Sequence, residues 1–497
     1  SLTSLSFKGD CVLDLAYLPK SLKTLDLSNK FNQLLKPGEL PSTLTSLSFG
    51  HEFDNELLPG VLPQSLLSLS FGCRFNQTLQ PRSLPSSLTN LNLGSSPFTS
   101  GLNGMLPALI KLVIGCGFGS NAPFTPGIIP STVQTLVIGN NQYQNFSYGF
   151  QSGETPDYYI PDSITDLTYN GSLRVGLIPN SVTNLTFNCY RFGGAIETGY
   201  IPESITRLDF GHNFNWPIIK ECLPSSIKTL MFGDLFNNYI EPGALPKSLT
   251  SLRFGYGFSR DILIGELPSS INHLEFGNIY YNGFAVGVLP TSLKTMILRA
   301  SQIRPIKFSG KLNFLSIPSL LHIQNVHCQV DHLILTKLEL RDISKMPTIL
   351  PVTIPIKTLS ASAPGRTFNK RAQFINEIIR VSPNADVYNF TITKAKGDWT
   401  IQFRKIEGHL LLSVTNHRTI EFFKMNVPKE IKAEELIQQL TMENDSLKSQ
   451  LAEANAKLAE LIGVGPSTSS DNDEDSSEPE PEPEPPVTKK ATAKRTS

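Results

Sequence analysis

The sequence predicts a β-rich, right-handed solenoid with one parallel sheet, followed by a small α+β domain and a C-terminal coiled-coil helix. Three observations carry this. A Leu-Pro or Ile-Pro pair recurs with its proline at 19, 41, 63, 85, 107, 130, 161, 179, 202, 224, 246, 268 and 290, mostly in steps of 22 residues. Each pair is followed at fixed offsets by apolar residues in strand-like alternation. Residues 429–462 then change to heptad spacing. Self-similarity at a period of 20 to 50 residues is the mark of an array rather than a globule.

One copy runs LPSTLTSLSFGHEFDNELLPGV from Leu40 to Val61. Its Leu44, Leu47 and Phe49, then Gly50 and Phe53, reappear as Leu66, Leu69, Phe71, Gly72 and Phe75, and again as Ile227, Leu230, Phe232, Gly233 and Phe236. This is the L-x-x-L-x-L frame, with strands expected near 45–49, 67–71, 228–232 and 250–254. Alternate side chains of each strand face inward. A single 22-residue coil cannot enclose its own Leu and Phe residues, so coils must stack and bury them as ladders. Counting a first, partial unit, about fourteen copies fill residues 1–300. Proline ahead of the strand lacks a donor and belongs at a strand's edge. Glycine after it (Gly50, Gly72, Gly94, Gly211, Gly233, Gly255, Gly277) is expected to supply a positive φ or a tight corner, with Asn170 and Asn188 as substitutes.

The repeated L-P-x-S-[LI], the F-N-Q at Phe31–Gln33 and Phe75–Gln77, and the F-N-W-P-I at Phe214–Ile218 resemble FNIP repeats over about residues 1–300. That family is a leucine-rich-repeat relative, with multi-copy members in social amoebae and some large DNA viruses. The resemblance implies a solenoid of leucine-rich-repeat type. Some similar proteins carry an F-box or a kinase domain, and neither signature occurs in this chain. The Asn-Ile-Pro of the name is imperfect here, since Trp216 separates Asn215 from Pro217.

The regularity breaks in stages. Between Pro130 and Pro161 the step is 31 residues, and the extra segment carries Tyr143, Tyr148, Tyr158 and Tyr159 on a tolerated outer insertion or a contact loop. Over 301–364, Leu312-Leu315-Ile317, Val330-Leu333-Leu335 and Ile356-Leu359 read as degenerate coils or a cap, with Arg299 in the usual glycine position marking the end of the regular array. Residues 365–426 read as a small α+β domain: a helix over Lys370–Ile379, then four strands in VYNFTIT, WTIQFRK, HLLLSV and TIEFFK. Over 429–462, Ile437, Asn444, Leu451 and Leu458 fall at a positions, and Leu440 and Leu447 at d, predicting a homodimeric coiled coil. Residues 463–497 are an acidic, Pro-rich tail too polar to build a core.

Lys+Arg and Asp+Glu are equal at 43 each, so no global field favours nucleic acid or an anionic membrane. The small domain's basic excess lacks the aromatic stacking motifs of RNA recognition. No apolar run approaches the roughly 18–20 residues that span a bilayer. Six scattered cysteines without a CxxC suit a reducing, cytoplasmic setting, against which stand N-x-S/T patterns at Asn76, Asn145, Asn170, Asn184 and Asn389. The chain begins at Ser1 within a repeat, so residues upstream are expected.

No phosphate loop, nucleophile elbow or zinc-protease motif is present, and no cofactor motif. His322, His327-Cys328 and His332 gather at a 5–1–4 spacing that fits no common metal frame. What remains is the outward face of the strands. It is small and uncharged early, as at Asn90 and Asn92, and charged later, at Arg207, Asp209, Arg253, His273 and Glu275. These seven are the candidate partner-binding residues of a non-enzymatic scaffold for a protein partner. The alternatives are a ubiquitin-ligase substrate adaptor with an F-box upstream, or the regulatory region of an enzyme, such as a kinase, whose catalytic domain lies upstream.

Overall fold

The computed structural model describes residues 2–9, 13–75, 77, 79–80, 82–94, 102, 106–115, 126–140, 159–171, 173–187, 194–300, 304–318, 326–336, 356–364, 387–393, 399–406, 410–415 and 420–424. Residues 1–427 form one compact unit. The coiled coil and tail expected beyond it lie outside the described residues, as does the helix expected over 370–379.

Every coil contributes a short strand, and the strands pair in parallel in chain order. In the first coils Leu5, Leu25, Leu47, Leu69 and Leu91 stand side by side. Further on, Leu208, Leu230, Leu252, Leu274 and Met296 do the same. The strands are shorter than the pattern suggests: Ser46–Ser48, Ser68–Ser70, Thr229–Met231 and Ser251–Arg253 have three residues each. The proline explains the sharp entry. Its carbonyl accepts from the amide three residues on, as in Leu44 to Pro41 at 3.1 Å and Leu66 to Pro63 at 3.1 Å, so each L-P-x-S-L motif is a β-turn feeding the strand. The serine two residues after the proline donates back one coil, Ser65 to the Leu44 carbonyl and Ser248 to that of Ile227, at 2.7 and 2.6 Å.

The core is a pair of aromatic ladders. Phe210, Phe232, Phe254 and Phe276 stack at 5.4, 5.5 and 5.2 Å between centroids. Beside them Phe214, Phe236, Phe258 and Tyr280 stack at 5.9, 6.0 and 5.9 Å. All eight rings are buried, each fully buried phenylalanine stabilising by roughly 1.5–3 kcal/mol. The asparagine after the second aromatic forms a third ladder. Asn215 Oδ1 accepts the Asn237 amide at 2.9 Å, and Asn237 Oδ1 accepts the Ser259 amide at 3.0 Å. The F-N pair is therefore a core residue and a backbone clip in succession.

Glycine serves two purposes, and one differs from expectation. Gly50, Gly72, Gly233, Gly255 and Gly277 do not have positive φ. They are required because a Cβ on any of them would overlap the backbone of the coil before. Asn170 is not left-handed either; its side chain donates to the Gly139 carbonyl at 2.9 Å. Gly94 and Gly211 do have the expected positive φ, at 59° and 67°, but the recurring left-handed corner sits three residues before the next proline, where Gly38, Gly60, Gly127, Gly176, Gly199, Gly243, Gly265 and Gly287 have φ between 78° and 91°. Arg82 and Glu221 occupy that corner at φ 67° and 66°. Left-handed backbone costs a residue with a Cβ about 1–2 kcal/mol, partly offset because glycine gives the unfolded chain more freedom. Glu221→Gly should therefore stabilise the protein by about 0.5–1 kcal/mol in denaturant titration, and Gly243→Ala should do the reverse. A lower midpoint for Glu221→Gly would contradict this.

The sheet does not stop where the repeat signature fades. Ile306–Ile317 pairs in parallel with Thr295–Leu298, Val326–Leu335 follows, then Ile356–Pro364. Leu315, Leu333 and Leu359 extend the leucine row and are buried. The separate domain expected over 365–426 is corrected by the same pairing. Val387–Thr393 is the next parallel strand, and Trp399–Ile406, Leu410–Thr415 and Ile420–Lys424 continue the same sheet in antiparallel. An unpaired strand edge is a row of vacant donors and acceptors, and the following strand fills it.

Candidate recognition face

In a three-residue strand the central leucine points inward, and the residues on either side face out. Parallel register aligns the outward positions of consecutive coils into two rows. One reads Arg207, Thr229, Ser251, His273, Thr295 and the other Asp209, Met231, Arg253, Glu275, Ile297. Five of the seven candidate residues thus lie on three of four consecutive strands, with none on Thr229–Met231. Asn90 and Asn92 do not join them. Four strands intervene, a separation of about 24 Å at the usual strand spacing.

The outward residues are not equally available. Asp209 Oδ1 accepts the Gly211 amide, and Asn92 Oδ1 that of Gly94, both at 2.9 Å, so these side chains cap the turn after their own strands. Arg207 extends over the next strand, its Nη2 3.7 Å from Met231 Sδ. Glu275, expected in solvent, is only 9% exposed. Its carboxylate lies between two arginines, with Arg299 Nη2 at 2.7 Å, Arg299 Nε at 2.9 Å and Arg253 Nε at 3.5 Å. Pairing therefore runs between coils and not along a strand.

A shallow depression of about 220 Å³ opens beside these rows, lined by Asp209, His212, Met231, Asp234 and Arg253, with Gly211, Gly233 and Gly255 between its walls. Three glycines in register keep this corner free of side chains. His212 Nδ1 lies 3.1 Å from Asp234 Oδ2. The Tyr256 amide, donating to Asp234 Oδ1 at 2.9 Å, holds that carboxyl below the usual carboxylate range, with the His212 hydrogen bond adding to the effect. Sequence reasoning missed His212, Met231, Asp234 and Arg299. Arg299 stood out only as a missing glycine; its charge, one coil beyond Glu275, was the available signal.

A second depression, about 870 Å³, lies along the connectors of coils 159–162, 176–181, 198–203 and 221–224, with Tyr159, Asp162, Tyr200, Glu203 and Glu221 among its lining. The chemistry on offer elsewhere is slight. Cys73 Sγ lies 2.6 Å from His51 Nε2, but burial pushes the thiol up, away from the thiolate that nucleophilic or metal chemistry needs. Cys328 is pushed up to about 12, also by burial. Among the described residues no three His, Cys, Asp or Glu side chains gather to hold a metal, and no helix is long and apolar enough to cross a membrane.

The family model described as FNIP Repeat matches residues 31–74, 75–117, 169–213, 192–235, 214–257 and 258–301. Among solved structures, the chain is similar to CroV588, described as a novel circular LRR protein structure, at 30% sequence identity and a TM-score of 0.47. The similarity covers 72% of this chain and 48% of that one, so the chain spans about half the length of that protein. No curated protein matches the sequence.

Proposed function

We propose that the chain, six stretches of which match the FNIP Repeat model, is a non-enzymatic interaction scaffold that presents the outer face of its solenoid sheet to a protein partner. One observation carries the reading: Arg207, Asp209, Arg253, His273 and Glu275 gather at the outward positions of three of four consecutive strands, whereas the earlier strands carry outward charges only singly, at Asp26, Lys111 and Asp166. Arginine is enriched where interface energy concentrates, and charge complementarity sets orientation and association rate. In this reading the coils are right-handed, as parallel crossovers almost always are. The protein works in the cytoplasm, and Ile437, Leu440, Asn444, Leu447, Leu451 and Leu458 pair two copies into a parallel dimer with Asn444 fixing the register.

Arg207 and Arg253 are exposed, so alanine at both should shift stability by less than about 0.5 kcal/mol. Affinity capture from the native cell with the full chain should recover a protein set that the Arg207→Ala/Arg253→Ala variant does not. An identical set would overturn the reading. Sedimentation should show twice the monomer mass for the full chain and the monomer mass for a chain ending at residue 428. The same mass for both would remove the dimer.

A further inference from the structure

We infer that Arg253, Glu275 and Arg299 form a clamp that takes a side-chain carboxylate from an acidic segment of the protein partner. The inference rests on the sheet face being the recognition surface and adds the chemistry recognised there. Glu275 is nearly buried, and its Oε1 is the focus of both arginines. One carboxylate between two guanidinium groups leaves one positive charge. The contacts use two of the five Arg299 N–H groups and one of the five on Arg253, so roughly seven donors remain for solvent or a ligand. Both heads stay reachable, the two side chains being 53% and 52% exposed.

Glu275 does for the arginines what a ligand otherwise must: it holds the forks in place, so less rotamer freedom is lost when a second carboxylate arrives. The neighbouring acids do not fill the role. Asp209 is engaged by the Gly211 amide, and Asp234 by the Tyr256 amide and His212, with Arg253 acting on it through charge alone. Beyond Thr295–Leu298 the next strand pairs Phe314, Leu315 and Ser316, with no acid at either outward position. Met231 and Ile297 flank Arg253 and Glu275 in the same row, which gives the charged centre the apolar margin typical of a protein contact. An open sheet face encloses no small molecule. The balanced total charge supplies no extended basic track for a nucleic-acid backbone.

The test is fluorescence anisotropy of a labelled hexaglutamate peptide with the full-length protein at low salt. Arg253→Ala/Arg299→Ala should weaken binding at least tenfold. Glu275→Gln, which removes the resident negative charge and keeps the shape, should tighten it several-fold while lowering the melting temperature. A triad that only staples coils together would move the melting temperature in both variants and leave peptide affinity unchanged. That result, or no binding by the wild type, overturns the clamp. Displacement by a phosphoserine peptide more effective than by unlabelled hexaglutamate would also overturn the carboxylate assignment. If partner capture depends on Arg207 while hexaglutamate ignores the triad, the clamp fails and the scaffold reading stands. If capture ignores the sheet face altogether, that reading fails first.

Discussion

Replacing Leu69 with Asp should cost at least ~4 kcal/mol and unfold the coils on either side. The leucine is 1% exposed and stands between Leu47 and Leu91 in the inner row. Two losses add. The apolar contacts of a buried leucine go, which alone is worth about 2–5 kcal/mol. A carboxylate must also either stay charged in an apolar interior or take up a proton, and both cost free energy. Its row neighbours are leucines, which cannot supply a counter-charge. Because each coil is stabilised by its neighbours alone, the lesion should spread along the array rather than stay local. The neighbouring Ser68→Asp, on the outward side of the same strand, should shift stability by less than about 0.5 kcal/mol. Equal denaturation midpoints for the two variants would mean that the inner row does not carry the fold.

The sequence disclosed the solenoid because its constraints are periodic. Phe49, Phe71, Phe232 and Phe254 each repeat a demand for burial at the same offset, and a misreading at one coil is corrected at the next. The corner glycines were visible for the same reason, but their cause was not. Sequence cannot tell a glycine needed for its φ from one needed for a neighbour's approach, since both read as G. Gly50 and Gly60 lie ten residues apart in one copy; the first yields to the backbone of the coil before, and only the second is left-handed. The end of the array was harder to place for a related reason. The signature of the turn and corner fades after residue 300, yet the strand edge still needs a partner, and the sheet goes on through Val387–Thr393.

The candidate site was legible by position and not by state. Offsets from each proline placed Arg207, Asp209, Arg253, His273 and Glu275 at outward positions within four consecutive strands, as register requires. They could not show that Asp209 folds back on Gly211, or that Glu275 is withdrawn between arginines. Those outcomes depend on rotamers chosen by the next coil. Arg299 took a glycine's place and became a second hand on Glu275, a pairing across 24 residues that no single copy of the repeat contains.

Gly233→Ala should be nearly as damaging as a core lesion although it adds only one methyl group. The backbone of Gly233 is not left-handed, so alanine meets no conformational penalty there. The methyl would instead overlap the Gly211 carbonyl and lie 2.7 Å from the His212 Cα. Neither is the end of a flexible side chain, so a coil must shift bodily. That movement disturbs the pairing of Leu208 with Leu230 and the stacking of Phe210 on Phe232. Overpacking of this kind costs about 1–3 kcal/mol where side chains can yield, and the rigid backbone here puts the expected loss at about 3 kcal/mol. Gly60→Ala is the matched control. Its φ is 81° and nothing lies within 4 Å of the added Cβ, so only the backbone term applies, about 1–2 kcal/mol. If the two glycines differed only in conformation, Gly60→Ala would be the worse substitution. Denaturation midpoints in that order would show that φ, and not the approach of one coil to the next, fixes the glycine after the strand.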